Sequence, residues 1–126
     1  MYLALNLTED SQRKLQEFVV SYMGLNTDIK SSDYDTRYCH HMTISLNEPY
    51  LEEVGKSYKV KVNKIAFDLK VIAVSVTTEC QSTNSIKHIT CFVDKGRGGK
   101  PFMSNKLDHW FPVPEMELEG IVTLNH

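Results

Sequence analysis

Hydrophobic and polar positions alternate at the start of the chain. Leu3, Leu5 and Leu7 oppose Tyr2, Ala4 and Asn6, the period-two pattern of a strand with one buried face. The period then lengthens. Leu15, Phe18, Val19, Tyr22 and Met23 recur at three- and four-residue steps, which gathers them on one side of a helix. Thr8 is placed to cap that helix, Glu9 and Asp10 put negative charge in its first turn, and Gly24 supplies a stop. These signals predict a helix over about 9–23.

Residues 25–38 are polar and read as a loop. The run from His41 to Leu46 follows, with His41 and Thr43 on one face of a strand and Met42, Ile44 and Leu46 on the other. Asn47-Glu48-Pro49 then breaks the chain. Tyr58, Val60 and Val62 alternate with lysines, and Ile65, Phe67, Leu69 and Val71 continue after a change of phase at Lys64 that suggests a bulge. One or two strands therefore cover 58–78. After a loop at 81–85 comes a second histidine run. His88, Thr90 and Phe92 are expected on one face, and Ile89, Cys91 and Val93 on the other. Ser104 is a candidate cap for a short helical turn reaching Trp110, and Pro112 and Pro114 argue against regular structure around them. Leu118, Gly120, Val122 and Leu124 give a closing strand. The sum is one α+β domain over 1–126, with about six mainly antiparallel strands, one full helix and a reduced second helix.

Composition narrows the functional classes. The chain has 126 residues, 41% apolar and 24% charged, enough for a single core without staples. A net charge of −2 with no block of like charges disfavours binding to long duplex nucleic acid, though not to a small anion. No apolar run is long enough to span a membrane, and the first residues read as a strand, not a signal peptide. Cys39, Cys80 and Cys91 are odd in number and in no ligand spacing, which suggests reduced thiols and a cytoplasmic setting. His40 and His109 add candidates for a metal site with His41, Cys39 and Cys91. No ligand spacing supports it, and adjacent His40 and His41 are expected on opposite faces, so no metal or cofactor is expected.

The chemistry rests on a repeat. His41-Met42-Thr43 and His88-Ile89-Thr90 share the form H-x-T, and chance supplies two such triplets in a chain of this composition only about one time in twenty. Taken singly, each histidine reads as structural. As a pair facing one phosphodiester, one histidine can take a proton from the attacking oxygen while the other gives one to the leaving oxygen. A threonine hydroxyl two residues on can hydrogen-bond a non-bridging oxygen. Lys95, Arg97 and Lys100 sit among Gly96, Gly98 and Gly99 just after the second triplet, a candidate anion-binding loop. Trp110 and Phe111 are candidates for stacking on a base, with at least one of them expected in the core.

Two H-x-T strands in a small α+β chain resemble the 2H phosphoesterase superfamily, also called LigT-like. The strand and helix from Tyr2 to Met23 look like that family's usual opening. The stretch from Gly99-Lys100-Pro101 through Ser104-Asn105 to Trp110 is similar to its phosphodiesterase-like or ligase-associated members. The resemblance implies a two-lobed sheet with a central cleft where the histidines meet. It implies His41 and His88 as the acid–base pair, and Thr43 and Thr90 as the phosphate contacts. Lys95, Arg97, Lys100 and Trp110 are the expected substrate-binding residues. The expected function is metal-independent cleavage of a 2′,3′-cyclic phosphate or a short nucleotide phosphodiester by a monomer. The alternatives are a phage-type enzyme degrading cyclic oligonucleotide signals and a non-catalytic nucleotide- or RNA-binding module.

Overall fold

A computed structural model describes residues 2–46 and 50–125. The predicted breaker Asn47-Glu48-Pro49 lies outside the described residues. The elements are β1 (Tyr2–Leu7), α1 (Glu9–Asn26), β2 (Thr36–Arg37), β3 (His41–Ser45), β4 (Ser57–Phe67), β5 (Val71–Thr77), β6 (His88–Val93) and β7 (Phe111–Asn125). A six-residue 3-10 helix, Pro101–Lys106, is the reduced second helix. All seven strands join one antiparallel sheet in the order β2-β6-β5-β4-β7-β1-β3.

The helix forms where its periodicity predicts and ends later. Thr8 accepts a hydrogen bond from the Ser11 N–H at 3.2 Å, satisfying one orphan donor of the first turn. Gly24 does not stop it. The helix runs on to Asn26, and Thr27 closes it by donating its hydroxyl at 2.8 Å and its N–H at 3.2 Å to the Met23 carbonyl. Leu15, Val19 and Met23 are fully buried in one core with Leu3, Leu5, Leu118 and Val122. Each such side chain contributes about 1.5–3 kcal/mol of transfer free energy, so this face holds the helix on the sheet.

Three local signals resolve in the strands. The phase change near Lys64 is a bulge, since the register of β4 against β5 slips between Val62 and Lys64. Asp68 makes the β4–β5 turn by accepting from the N–H groups of Lys70 and Val71 at 2.7 and 2.9 Å, which separates two strands that apolar content alone left fused. β7 begins at Phe111 and carries both prolines, contrary to the expectation that they exclude regular structure. Its ladder with β4 skips between Met116 and Pro112, so Pro114 falls where no paired N–H is demanded.

Three assignments of side-chain face change, those of Phe92, Val93 and Leu46. The register of β6 against β5 slips between Thr90 and Phe92, so the extra residue turns Phe92 into the core with Ile89 and Cys91 instead of beside Thr90. Leu46 follows the end of β3 and is 72% exposed. Ser104 lies inside the 3-10 helix and does not cap it; Pro101 occupies the first turn, and the helix ends before Trp110.

The two ends of the sheet order, β2 and β3, are separated in the chain by only Tyr38, Cys39 and His40, and this segment closes the sheet on itself. Tyr38 and Cys39 donate their N–H groups to Cys91 and Thr90 of β6 at 2.7 and 3.0 Å, while the His40 carbonyl accepts from Leu7 of β1 at 2.9 Å. The chain passes from one end of the sheet to the other through Cys39, whose φ of +60° makes the corner. The three cysteines are buried free thiols. No described helix is long and apolar enough to cross a membrane.

Candidate functional site

The closure explains why two triplets far apart in sequence meet. Cys39, two residues before His41, is hydrogen-bonded to the backbone of Thr90 itself. His41, Thr43, His88 and Thr90 all line one cavity of about 290 Å³, with Tyr2, Tyr38, Leu46, Asn84 and the 3-10 helix residues Pro101, Phe102 and Asn105 completing its walls.

The two halves are built alike. In β1, Asn6 stands opposite His41 and Ala4 opposite Thr43. In β5, Ser75 stands opposite His88 and Ala73 opposite Thr90. Directly opposed residues project from the same face, so each threonine hydroxyl has a methyl beside it and each histidine a small polar group.

Each histidine is held from behind. The His88 Nδ1–H donates to the Ile86 carbonyl at 2.9 Å, which leaves Nε2 as the remaining ring nitrogen. His41 Nδ1 lies 2.6 Å from His40 Nδ1, with the rings stacked at 4.7 Å and 28°, and its Nε2 lies 3.5 Å from the Tyr2 hydroxyl. His40 was expected to face away from His41. It precedes β3 and follows the Cys39 corner, so strand alternation does not govern it. Burial, then the charges of His40 and His88, push His41 down to about 4, so its neutral ring prevails at neutral pH. Burial also lowers His40.

Thr90 does not act alone. Its Oγ1 lies 2.8 Å from the hydroxyl of Ser104, which is buried in the 3-10 helix. If Ser104 donates, the Thr90 hydrogen is left for the Pro101 carbonyl at 3.4 Å, a long bond that a phosphate oxygen in the cavity can replace. Ser104 was legible as a possible cap and as part of the stretch that resembles ligase-associated members; nothing in its local pattern indicated a partner fourteen residues away.

The Gly-rich loop lies outside this cavity's walls. Asp35 accepts from the N–H groups of Lys95 and Gly96, both at 2.8 Å, and these two bonds, with the Thr36 hydroxyl next, hold its carboxyl below the usual range. The anion nest of the loop is therefore filled by a carboxylate of the same chain. Arg97 pairs with Asp94 at 3.1 Å, Lys95 Nζ lies 5.5 Å from the centre of the Tyr38 ring, and Lys100 is exposed. Gly99 is required by the fold, since an added Cβ would come within 2.6 Å of the Lys70 carbonyl. Trp110 is half-buried in a separate cavity, and Phe111 stacks on Phe67 at 6.0 Å. Among the described residues no cluster of three or more His, Cys, Asp or Glu side chains is arranged to hold a metal.

No curated protein matches the chain. The family model described as the fungal tRNA ligase phosphodiesterase domain matches residues 6–125, a span that holds both triplets, Asp35 and Ser104. The paired H-x-T strands and that match lead to one conclusion: the chain belongs to the fungal tRNA ligase phosphodiesterase domain family, within the 2H phosphoesterase superfamily, and is a phosphoric diester hydrolase of that type.

Proposed function

We propose that the protein opens 2′,3′-cyclic phosphates at the ends of RNA by acid–base chemistry between His41 and His88. The observation that carries this reading is the convergence of both H-x-T triplets on one cavity. His41 is the base. Its neutral form is favoured, so Nε2 can take the proton of the attacking water. His88 is the acid. With Nδ1–H directed at Ile86, Nε2 is the nitrogen left to face the substrate, and in the acid role it delivers a proton to the ribose oxygen as its bond to phosphorus breaks. Water thus adds across one P–O bond, leaving a phosphomonoester and a free hydroxyl. Thr43 and Thr90 donate hydrogen bonds to the non-bridging oxygens, where charge builds in the transition state. None of these steps assigns a role to a metal.

The test is turnover of nucleoside 2′,3′-cyclic phosphates, with cyclic di- and trinucleotides as competitors, in EDTA. We expect His41→Ala and His88→Ala each to lower kcat by about 10²–10⁴-fold. Wild-type activity in either variant, or absence of turnover on every substrate, overturns the proposal. Preference for the cyclic oligonucleotides would redirect it to degradation of such signals.

A further inference from the structure

A second cavity of about 290 Å³ adjoins the first and belongs to none of the steps above. Two segments wall both. Asn84 and His88 line the first cavity, while Ser85 and Ile86 between them line the second; likewise Asn105 lines the first and Trp110 the second. The sheet register gives the reason. Ser75 of the second cavity stands directly opposite His88 in the β5–β6 ladder, so both project from one face. The bulge in β4 slips the pairing with β5 and with β7 at the same place, and it delivers Asn63 and Lys64 to this cavity.

The second cavity has an organised floor and wall. Ser75 donates to Asn63 Oδ1 at 2.5 Å, and Asn63 Nδ2 donates to Thr77 at 2.7 Å. Trp110 is pinned by its Nε1–H, which donates to the Leu107 carbonyl at 3.2 Å. Lys64 is exposed and has no ion-pair partner among the described residues. A fixed indole, a free ammonium and an amide gather around Ser75, which stands between Lys64 and His88 in the sheet.

We propose that this cavity is the subsite for the nucleotide preceding the cyclic phosphate in a single-stranded RNA, with its base against Trp110 and its phosphate against Lys64. The inference rests on the phosphodiesterase reading above. A 2′,3′-cyclic phosphate occupies both lower hydroxyls of its ribose, so the strand can continue only from the 5′ oxygen. Any contact beyond the terminal nucleotide is therefore made by the residue on that side. Aromatic surfaces hold unpaired bases by stacking, and a lysine supplies a salt-sensitive phosphate contact.

The experiment compares kcat/KM for a mononucleoside 2′,3′-cyclic phosphate with that for a trinucleotide ending in the same group. Wild type should favour the trinucleotide by roughly tenfold or more. Trp110→Ala should reduce that ratio by about as much, Trp110→Phe should largely retain it, and Lys64→Ala should flatten its salt dependence. Equal kcat/KM values in the wild type overturn the subsite. So does a ratio that survives both alanine substitutions, or an equal fall on both substrates in Trp110→Ala. If neither substrate is turned over, the phosphodiesterase reading fails, and the subsite is judged by binding. The Kd of a trinucleotide 3′-phosphate must then be tighter than that of a nucleoside 3′-phosphate, with the difference lost in Trp110→Ala.

Discussion

The Nδ1 atoms of His40 and His41 lie 2.6 Å apart, so only one of them carries a hydrogen. When His41 takes a proton on Nε2 it becomes doubly protonated, and its Nδ1–H needs an acceptor. A neutral His40 provides one, as the Ile86 carbonyl does for His88. The groups that face His41 are thus the Tyr2 hydroxyl from β1, His88 from β6 and His40 beside it.

From this contact we expect His40→Phe, which keeps the ring stack but removes the acceptor, to lower kcat by roughly 10–100-fold with little change in KM. The acid limb of kcat/KM, set by His41 at about 4, should move, because His40 both accepts from the His41 imidazolium when neutral and opposes its protonation when charged. His40→Asn, whose side-chain oxygen can accept, should recover much of the rate. Equal losses in both variants with an unmoved limb would mean that His40 serves packing alone.

Stability should fall as acid is added, by an amount traceable to His41. Above about pH 6.5 the folded and unfolded chains both leave it unprotonated. Between its ordinary value of 6.5 and about 4 the unfolded chain binds a proton that the folded chain refuses, a difference of about 3 kcal/mol at most. The stability is present above that window and is lost as pH falls through it. Denaturant titrations at pH 7 and pH 4 check this, because His41→Asn should lose less stability than wild type over the same interval.

The Thr90–Ser104 contact predicts coupling. Ser104→Ala removes a buried hydroxyl and should cost about 1–2 kcal/mol in stability, along with part of the rate. Thr90→Val should cost more rate. Because the two hydroxyls serve one function, the double variant should be less active than wild type by clearly less than the product of the single effects. Multiplicative losses would show that they act separately.

Asp35 offers a test that does not depend on activity. Asp35→Ala removes the acceptor for two backbone donors, so the amides of Lys95 and Gly96 should exchange with solvent faster while those of β6 stay protected. In the wild type the protection of these amides, relative to their intrinsic exchange at each pH, should fall only when pH drops below the lowered carboxyl range, since the clamp requires the charged form.

What the amino-acid pattern revealed was local. Strand alternation, the helix face, the β4 bulge and the two triplets all follow from neighbours within a few residues. What it concealed depends on distant partners or on one backbone angle. Nothing near Asp35 indicates that its carboxylate will fill a nest sixty residues on, and nothing near Cys39 marks the positive φ that turns His40 onto His41. The slip that buries Phe92 has no flanking glycine or proline to announce it. One signal of the pairing does lie in the sequence. Leu3-Ala4-Leu5-Asn6 and Ile72-Ala73-Val74-Ser75 share the order apolar, alanine, apolar, small polar, and they are the strands that face the two triplets.

The place of β7 has a consequence for how the chain acquires its fold. β7 is an inner strand, and its partner β1 pairs Tyr2 with Asn125 and Leu7 with Gly120. During synthesis β1 therefore emerges long before the strand that must lie beside it. The sheet cannot gain its β1–β7 ladder until the chain has been made through β7. Contacts of such long separation slow folding, because the entropy of closing the chain is spent before the contact rewards it. Until then the helix face of Leu15, Val19 and Met23 lacks Leu118 and Val122, so the nascent chain carries an exposed apolar stripe over most of its length.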